Sequence, residues 1–253
     1  MHNSPFAMLS GISIRLRTFA LILALIVLFP ASMFAKVVAF WQPGFPTVAS
    51  QPVDRSALTH ALDGMNPVFA DLAAMKEPTT LTGADLLILP YGSAAPVDAW
   101  KSIEQYLHAG GNLLILGGQP LQVPVVETDG KFQSLRPQDT YARVLDFRHT
   151  YEVPVPKDAQ FAWRFGYALP KAHIRARRFF TVEGRLDGLG YMADSTGLLV
   201  AAPVIAANHA FGPMMGSRVV ALDFDPEPGY WQSDDGAVLI HQAAAYAAQG
   251  AVE

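Results

Sequence analysis

The 253-residue sequence contains no cysteine. That excludes disulfides, thiolate nucleophiles, iron–sulfur clusters and cysteine-based zinc sites. Charge is sparse, at 16% of residues, and the formal net charge is −4. With no basic footprint, nucleic acid is not an expected partner. No internal repeat and no low-complexity tract is present. His149, His173, His209 and His241 are scattered, and none stands in an H-x-H or H-E-x-x-H spacing. No metal site and no cofactor is therefore expected. What the chain has instead is apolar mass: 51% hydrophobic residues, with 11% aromatic. That suffices for one sizeable α/β domain with a real core, or for two small domains, and it argues against disorder.

Residues 1–35 read as targeting sequence. Arg15 and Arg17 precede an apolar run, Thr18 to Phe29, which Pro30 breaks before A-S-M-F-A. A charged start, a short apolar run and small residues near a cleavage point form the export pattern. Ala35 fits the position just before the cut, although Met33, two residues earlier, is larger than usual there. The alternative is an uncleaved anchor, because Thr18–Ala35 is near the lower limit for a membrane span. Both readings place the body outside the cytoplasm, periplasmic or secreted, with membrane contact only through an uncleaved N-terminal segment. Losing a leader that carries two arginines and no acid takes the net charge from −4 to −6.

The body, 36–250, is organised around Asp85–Leu121. Leu86–Leu89 and Leu113–Leu116 are short apolar runs, each ending in a glycine-bearing turn. Between them Val97, Trp100, Ile103 and Leu107 recur at helical spacing, and Gly110–Gly111 end the helix. Strand, helix and strand in that order require a parallel pair with a right-handed crossover. Lys36–Trp41 reads as a buried first strand, Asp54–Leu62 as a helix and Pro67–Ala70 as a short strand. From about 122 to 190 prolines multiply and no long amphipathic helix occurs, so a β-rich insertion is expected. Within it Tyr141–Phe147, Gln160–Phe165 and Arg175–Val182 read as extended segments. Arg175, Arg177 and Arg178 suit an edge strand with solvated arginines, with an anion site as the alternative. Leu198–Ala207 and Arg218–Phe224 read as strands, and Ser233–Gln249 as a closing helix capped by Ser233. The fold class is α/β, a mostly parallel sheet with helices on both faces, flavodoxin-like or amidotransferase-like.

If the strands before them are parallel neighbours, three loops meet at one sheet edge: Pro90–Ser93, Gly117–Gln119 and Asp225–Trp231. Open α/β sheets bind ligands there. The motifs L-I-L-P-Y-G-S, L-L-I-L-G-G-Q and F-D-P-E, in that order, resemble the class I glutamine amidotransferase-like superfamily. The resemblance covers most of Lys36–Gln249. It implies an oxyanion loop at Tyr91–Ser93, a nucleophile elbow at Leu116–Gly117 and a triad end at Asp225 and Glu227. The departures decide the chemistry. Leu116–Gly117 replaces the cysteine, and Asp225 stands at the histidine position. Acyl transfer needs a nucleophile and its base, and both are missing, so the resemblance implies a degenerate, non-catalytic member. The glycine-rich style of the chain is similar to members associated with carbohydrate-active proteins, such as the trimerisation domain of some β-galactosidases.

The expectation is thus an exported, non-catalytic domain that binds a ligand or partner, a carbohydrate or a carbohydrate-active protein. Candidate ligand-binding residues are Tyr91, Gly92, Ser93, Gly118, Gln119, Tyr230 and Trp231. Each has a plainer reading. Ser93 is a turn serine capping the following helix. Tyr230 and Trp231 form a half-buried staple for the last helix. Asp225 and Glu227 belong to a turn. One alternative is a glycoside hydrolase using Asp225 and Glu227, which requires the two carboxylates to flank an open cleft. Another is a structural assembly subunit, which a filled strand-end rim and an apolar patch on the helical face would favour.

Overall fold

The computed structural model describes residues 36–153, 160–163, 172–173, 176–180, 185–197 and 199–250, with backbone alone at 148–153, 160–163, 172–173, 176–180 and 199–201. Ala35–Glu253 form a single unit. The chain enters as β1 (Val37–Phe40), crosses through α1 (Arg55–Ala61), and returns as β2 (Val68–Ala70) and α2 (Leu72–Lys76). β3 (Leu86–Leu89) follows, then the short β4 (Ala94–Pro96), α3 (Trp100–His108) and β5 (Leu113–Leu116). β6 (Val123–Thr128) and β7 (Lys131–Ser134) form a hairpin, and α4 spans Thr140–Val144. β8 (Arg148–Val153), β9 (Gln160–Trp163), β10 (Ala172–His173) and β11 (Ala176–Phe180) lead into β12 (Arg185–Ala193) and β13 (Leu199–Asn208). β14 (Arg218–Leu222), β15 (Asp225–Pro226) and α5 (Asp234–Ala248) close the chain.

The main sheet has the order β2-β1-β3-β5-β14-β13-β12-β9. Its first five strands are parallel, and β13, β12 and β9 add antiparallel to one side. Leu86–Leu89 and Leu113–Leu116 are parallel neighbours, with Ile88 opposite Leu114. The central strands are apolar throughout because both faces are covered. Their side chains alternate between two cores. Val38, Phe40, Leu87, Leu89, Leu113 and Ile115 pack with Leu72 and Met75 of α2 and with Ile103 and Leu107 of α3. Val37, Ala39, Leu86, Ile88, Leu114 and Leu116 pack with Leu58 of α1 and with Leu239, Ile240, Ala243 and Ala244 of α5. Each such leucine or isoleucine contributes about 1.5–3 kcal/mol by leaving water. A one-residue slip of a central strand would exchange its partners between the two helical layers.

α5 begins where its sequence says it should. The Ser233 hydroxyl accepts from the Gly236 N–H at 3.1 Å, and Asp234 and Asp235 occupy the first turn. At the amino-terminal edge of the strands Asn112 ties three of them together. Its Nδ2 donates to the Asp85 carbonyl before β3 at 2.9 Å, and its Oδ1 accepts from the Arg218 N–H of β14 at 2.8 Å. The Tyr106 hydroxyl closes on the Asn112 backbone, donating to its carbonyl at 2.8 Å and accepting from its N–H at 2.9 Å. Arg218 is buried, donating from Nε to Asn208 Oδ1 and from Nη1 to the Tyr246 carbonyl, both at 2.6 Å.

Two local expectations are corrected. Tyr141–Phe147 is not an extended segment, because its first part is α4. Arg143 reaches back to Asp139 one turn earlier, Nε to Oδ2 at 2.6 Å, an i,i+4 pair that favours helix over strand. Ser93 does not cap α3. Ala94–Pro96 pair as a strand with β6, so the helix starts further on, after a 3₁₀ turn at Val97–Ala99. The stretch from about 122 to 190 contributes to several places. The β6–β7 hairpin joins β4, β8 pairs with β11, and β12 and β9 extend the main sheet. Arg175 lies outside the described residues, as do the side chains of Arg177 and Arg178.

Candidate functional site

Taken in chain order, the five parallel strands run 2-1-3-4-5 across the sheet. The order reverses between β1 and β3, so the crevice for a ligand opens at their carboxyl ends. The three loops predicted to meet do meet there. The Gly92 N–H donates to the Leu116 carbonyl at 3.1 Å, and the Gly118 N–H donates to the Phe224 carbonyl at 3.0 Å. Leu116 itself is the fully buried end of β5.

A fourth segment fills the space between them. The chain leaving β1 runs through Gln42-Pro-Gly-Phe-Pro and lies across the strand ends as a strap, Phe45–Gln51. Val48 bridges to Gly92 as a parallel partner. Its N–H donates to the Tyr91 carbonyl at 3.2 Å, and its carbonyl accepts from the Ser93 N–H at 2.8 Å. The strap explains the glycines. Gly92, Gly117 and Gly118 all have positive φ, at 66°, 81° and 64°. A Cβ on Gly117 would collide with the Ser50 side chain, and one on Gly92 with the Val48 carbonyl. The backbone can approach this closely only without side chains.

An oxyanion site needs N–H groups aimed at an incoming oxygen. Here the Gly92, Ser93 and Gly118 N–H groups are bonded to the chain's own carbonyls. Tyr91 is buried under the strap's entry, its hydroxyl accepting from the Gln42 N–H at 2.7 Å and donating to the Gln42 carbonyl at 3.0 Å. Its ring packs on Phe40, Phe45 and Trp41. Burial raises its pKa to about 12, with the Gln42 hydrogen bond opposing. Ser93 is buried, and its hydroxyl has no hydrogen-bond partner among the described residues. Gln119 is half-buried.

Tyr230 and Trp231 are buried core residues, which corrects the expectation that they offer a ligand-binding rim or a half-buried staple. Trp231 is fully buried between Phe224 and Tyr230, ring centres 5.5 and 5.2 Å away. Its indole N–H points to the Ser50 hydroxyl on the strap at 3.4 Å. Gly229 is left-handed and turns the chain so that both rings enter the layer beneath α5. Burial also raises the Tyr230 pKa. Asp225 is half-buried, and its Oδ1 accepts from the strap's Gln51 at 3.4 Å. Glu227 is exposed, and its carbonyl accepts the Tyr230 N–H in a turn. Asp225 is thus engaged with the strap, whereas Glu227 faces solvent.

Sequence reasoning missed the strap. Its signal was the run Pro43-Gly-Phe-Pro46 with a further Pro52, which marks a stiff connection longer than a turn from β1 to α1 needs. A separate cavity of about 430 Å³ lies at the opposite, amino-terminal edge, lined by Leu81, Thr82, Asp85, Gln105, Tyr106 and Asn112 among others.

No family model matches the chain, and no curated protein does. Solved structures do. A GH42 β-galactosidase from G. stearothermophilus, as a catalytic mutant, aligns at 11% identity with a TM-score of 0.51, covering 86% of this chain and 30% of that one. A second structure of that enzyme, Gan42B, aligns at 10% identity with a TM-score of 0.50 over the same shares of 86% and 30%. A candidate GMP synthase subunit from Thermoplasma acidophilum aligns at 10% identity, covering 84% of this chain and 96% of that one, with a TM-score of 0.41. The likeness to the β-galactosidase is one of fold. This chain spans less than a third of that enzyme's length.

Proposed function

We propose that the chain is an exported, non-catalytic accessory domain of amidotransferase-like architecture. It serves a carbohydrate-active protein by binding a protein partner, not a free sugar. The observation that carries this reading is the strap. The strand-end crevice holds Val48–Ser50, and the glycine-turn donors are bonded to the chain's own carbonyls. Two further features support it. The sequence lacks the nucleophile and base of acyl transfer, and the same architecture occurs as about a third of a β-galactosidase.

The partner surface then lies elsewhere. Phe211 and Met215, on the connection between β13 and β14, are 57% and 64% exposed. In this reading the two side chains form the apolar part of the partner contact. The helices α1, α2, α3 and α5 carry no large exposed apolar residue among those described.

The test pairs a glycan array with sedimentation velocity of the exported protein, alone and mixed with the carbohydrate-active polypeptide encoded beside or fused to it. Co-sedimentation that weakens in Phe211→Ser/Met215→Ser, with an empty array, supports the reading, and self-association without co-sedimentation would replace it with an assembly subunit. Saturable binding of a glycan that is lost on altering Gln119 or Glu227 would replace it with a lectin-like one.

A further inference from the structure

We infer that Met215 is an oxidation site, and that its conversion to the sulfoxide blocks partner binding. The consequence for binding rests on the accessory-domain reading, whereas the site itself rests on the structure. The chain has no cysteine and eight methionines, so thioethers are its only sulfur. Met75, Met192 and Met214 are buried, and Met65 is half-buried. Met215 is 64% exposed. Among the described residues it is thus the methionine most open to a soluble oxidant.

Two neighbouring methionines therefore have opposite surroundings, and the connection between β13 and β14 explains why. Backbone bonds close its base. The His209 N–H donates to the Ser217 carbonyl at 3.0 Å, and the Gly216 N–H donates to the His209 carbonyl at 2.8 Å. Inside it, the Met215 N–H donates to the Gly212 carbonyl at 3.2 Å, and the Ser217 N–H to the Met214 carbonyl at 2.9 Å. Gly212 and Gly216 take the left-handed φ values these turns require, 82° and 90°. Met214 enters the core that holds Ile103, Leu107 and Phe147. Met215 stays outside, on the same connection as Phe211. The backbone fixes which of the two sulfurs meets solvent.

The oxidant is hydrogen peroxide. A lone pair on the Met215 Sδ attacks one peroxide oxygen, an S–O bond forms, the O–O bond breaks, and water leaves. The sulfur loses two electrons and the peroxide gains them. Oxidation follows exposure, so Met215 reacts ahead of Met214. The product is polar and chiral where a flexible apolar side chain stood. In the partner contact that change removes apolar burial and sets an S–O dipole against the partner's apolar surface. A formed complex covers Met215, so the free chain is the form that reacts. Oxidation then prevents association and does not break a complex already made.

The experiment treats the exported protein with dilute hydrogen peroxide. Peptide mass mapping, with fragmentation between residues 214 and 215, reads which sulfur carries oxygen. Sedimentation velocity with the carbohydrate-active polypeptide reads binding before oxidation, after it, and after methionine sulfoxide reductase. The expected result is oxygen at Met215 while Met75, Met192 and Met214 remain thioethers. Affinity should fall about tenfold or more, the worth of one buried methionine side chain, and return with the reductase. Met215 should be shielded from peroxide in the preformed complex. In Met215→Leu the affinity, whatever its starting value, should not respond to peroxide. Oxidation of a buried methionine before Met215, or a response to peroxide in Met215→Leu, overturns the inference. A complex that forms equally well with Met215 fully oxidised overturns it too, and leaves the accessory-domain reading standing. No complex from the unoxidised protein removes both.

Discussion

The indole N–H of Trp231 points at the Ser50 hydroxyl 3.4 Å away, across 181 residues of sequence. One residue closes the strap from β1, and the other belongs to the loop from β14. Their contact joins the connection leaving the first parallel strand in the chain to the one leaving the last, over the carboxyl ends of the strands. The consequences can be measured.

Trp231→Ala should behave as a core truncation. The ring is fully buried against Phe224 and Tyr230, so the loss should be about 3–5 kcal/mol in urea unfolding. A rim residue waiting for a ligand would lose well under 1 kcal/mol, about the level of an ordinary surface change.

Gly117→Ala and Gly64→Ala separate backbone strain from the close approach of the strap. Both residues have positive φ, 81° and 79°. Nothing lies near a Cβ on Gly64, whereas one on Gly117 would meet Ser50. Gly64→Ala should lose about 1–2 kcal/mol from conformation alone. Gly117→Ala should lose a further 1–3 kcal/mol or so from overpacking. Equal effects in thermal denaturation would mean that the strap is not held against the turn.

Alkaline pH should destabilise the fold from about pH 10 upward. Burial raises the pKa of Tyr91 to about 12, and raises those of Tyr106 and Tyr230 as well. The unfolded chain then gives up phenolic protons before the folded one does. Stability is full below the unfolded value of about 10 and falls as pH rises toward the folded values. Tyr91→Phe should lose about 0.5–1.5 kcal/mol at neutral pH through the Gln42 hydrogen bonds, yet show a shallower alkaline fall. Melting curves between neutral pH and pH 11 check both.

Asn112→Ala should lose about 2–4 kcal/mol. It strips the partner from the buried Arg218 N–H and from the Asp85 carbonyl, and each loss is worth about 1–3 kcal/mol less any relaxation. Hydrogen exchange should show the Arg218 amide opening well before its neighbours Val219 and Val220.

Most of the sheet was legible because its strands are buried on both faces. Leu86–Leu89 and Leu113–Leu116 are too short and too apolar for anything but central strands, and the helix between them fixes their sense. The α5 cap was legible because Ser233, Asp234 and Asp235 act locally. Tyr141–Phe147 was misread because a short apolar run has no period of its own, and the Asp139–Arg143 pair adds only a small preference for helix. The loops at the strand ends were placed correctly, but their state was not legible. Trp231 is buried in a layer assembled from β1, β3, β5, α1 and α5, and no local pattern links positions so far apart.

The strap also changes what binding at this edge would mean. It is tethered on one side by β1 and on the other by α1, with Ala49 held in the left-handed region at φ 50°. A segment tied this closely acts as a rival ligand at an effective concentration of millimolar or more. Any soluble molecule seeking the crevice must compete against it, so intrinsic affinity is discounted before it is observed. Loosening the tether, not redesigning the pocket, is what would make such a site open to titration.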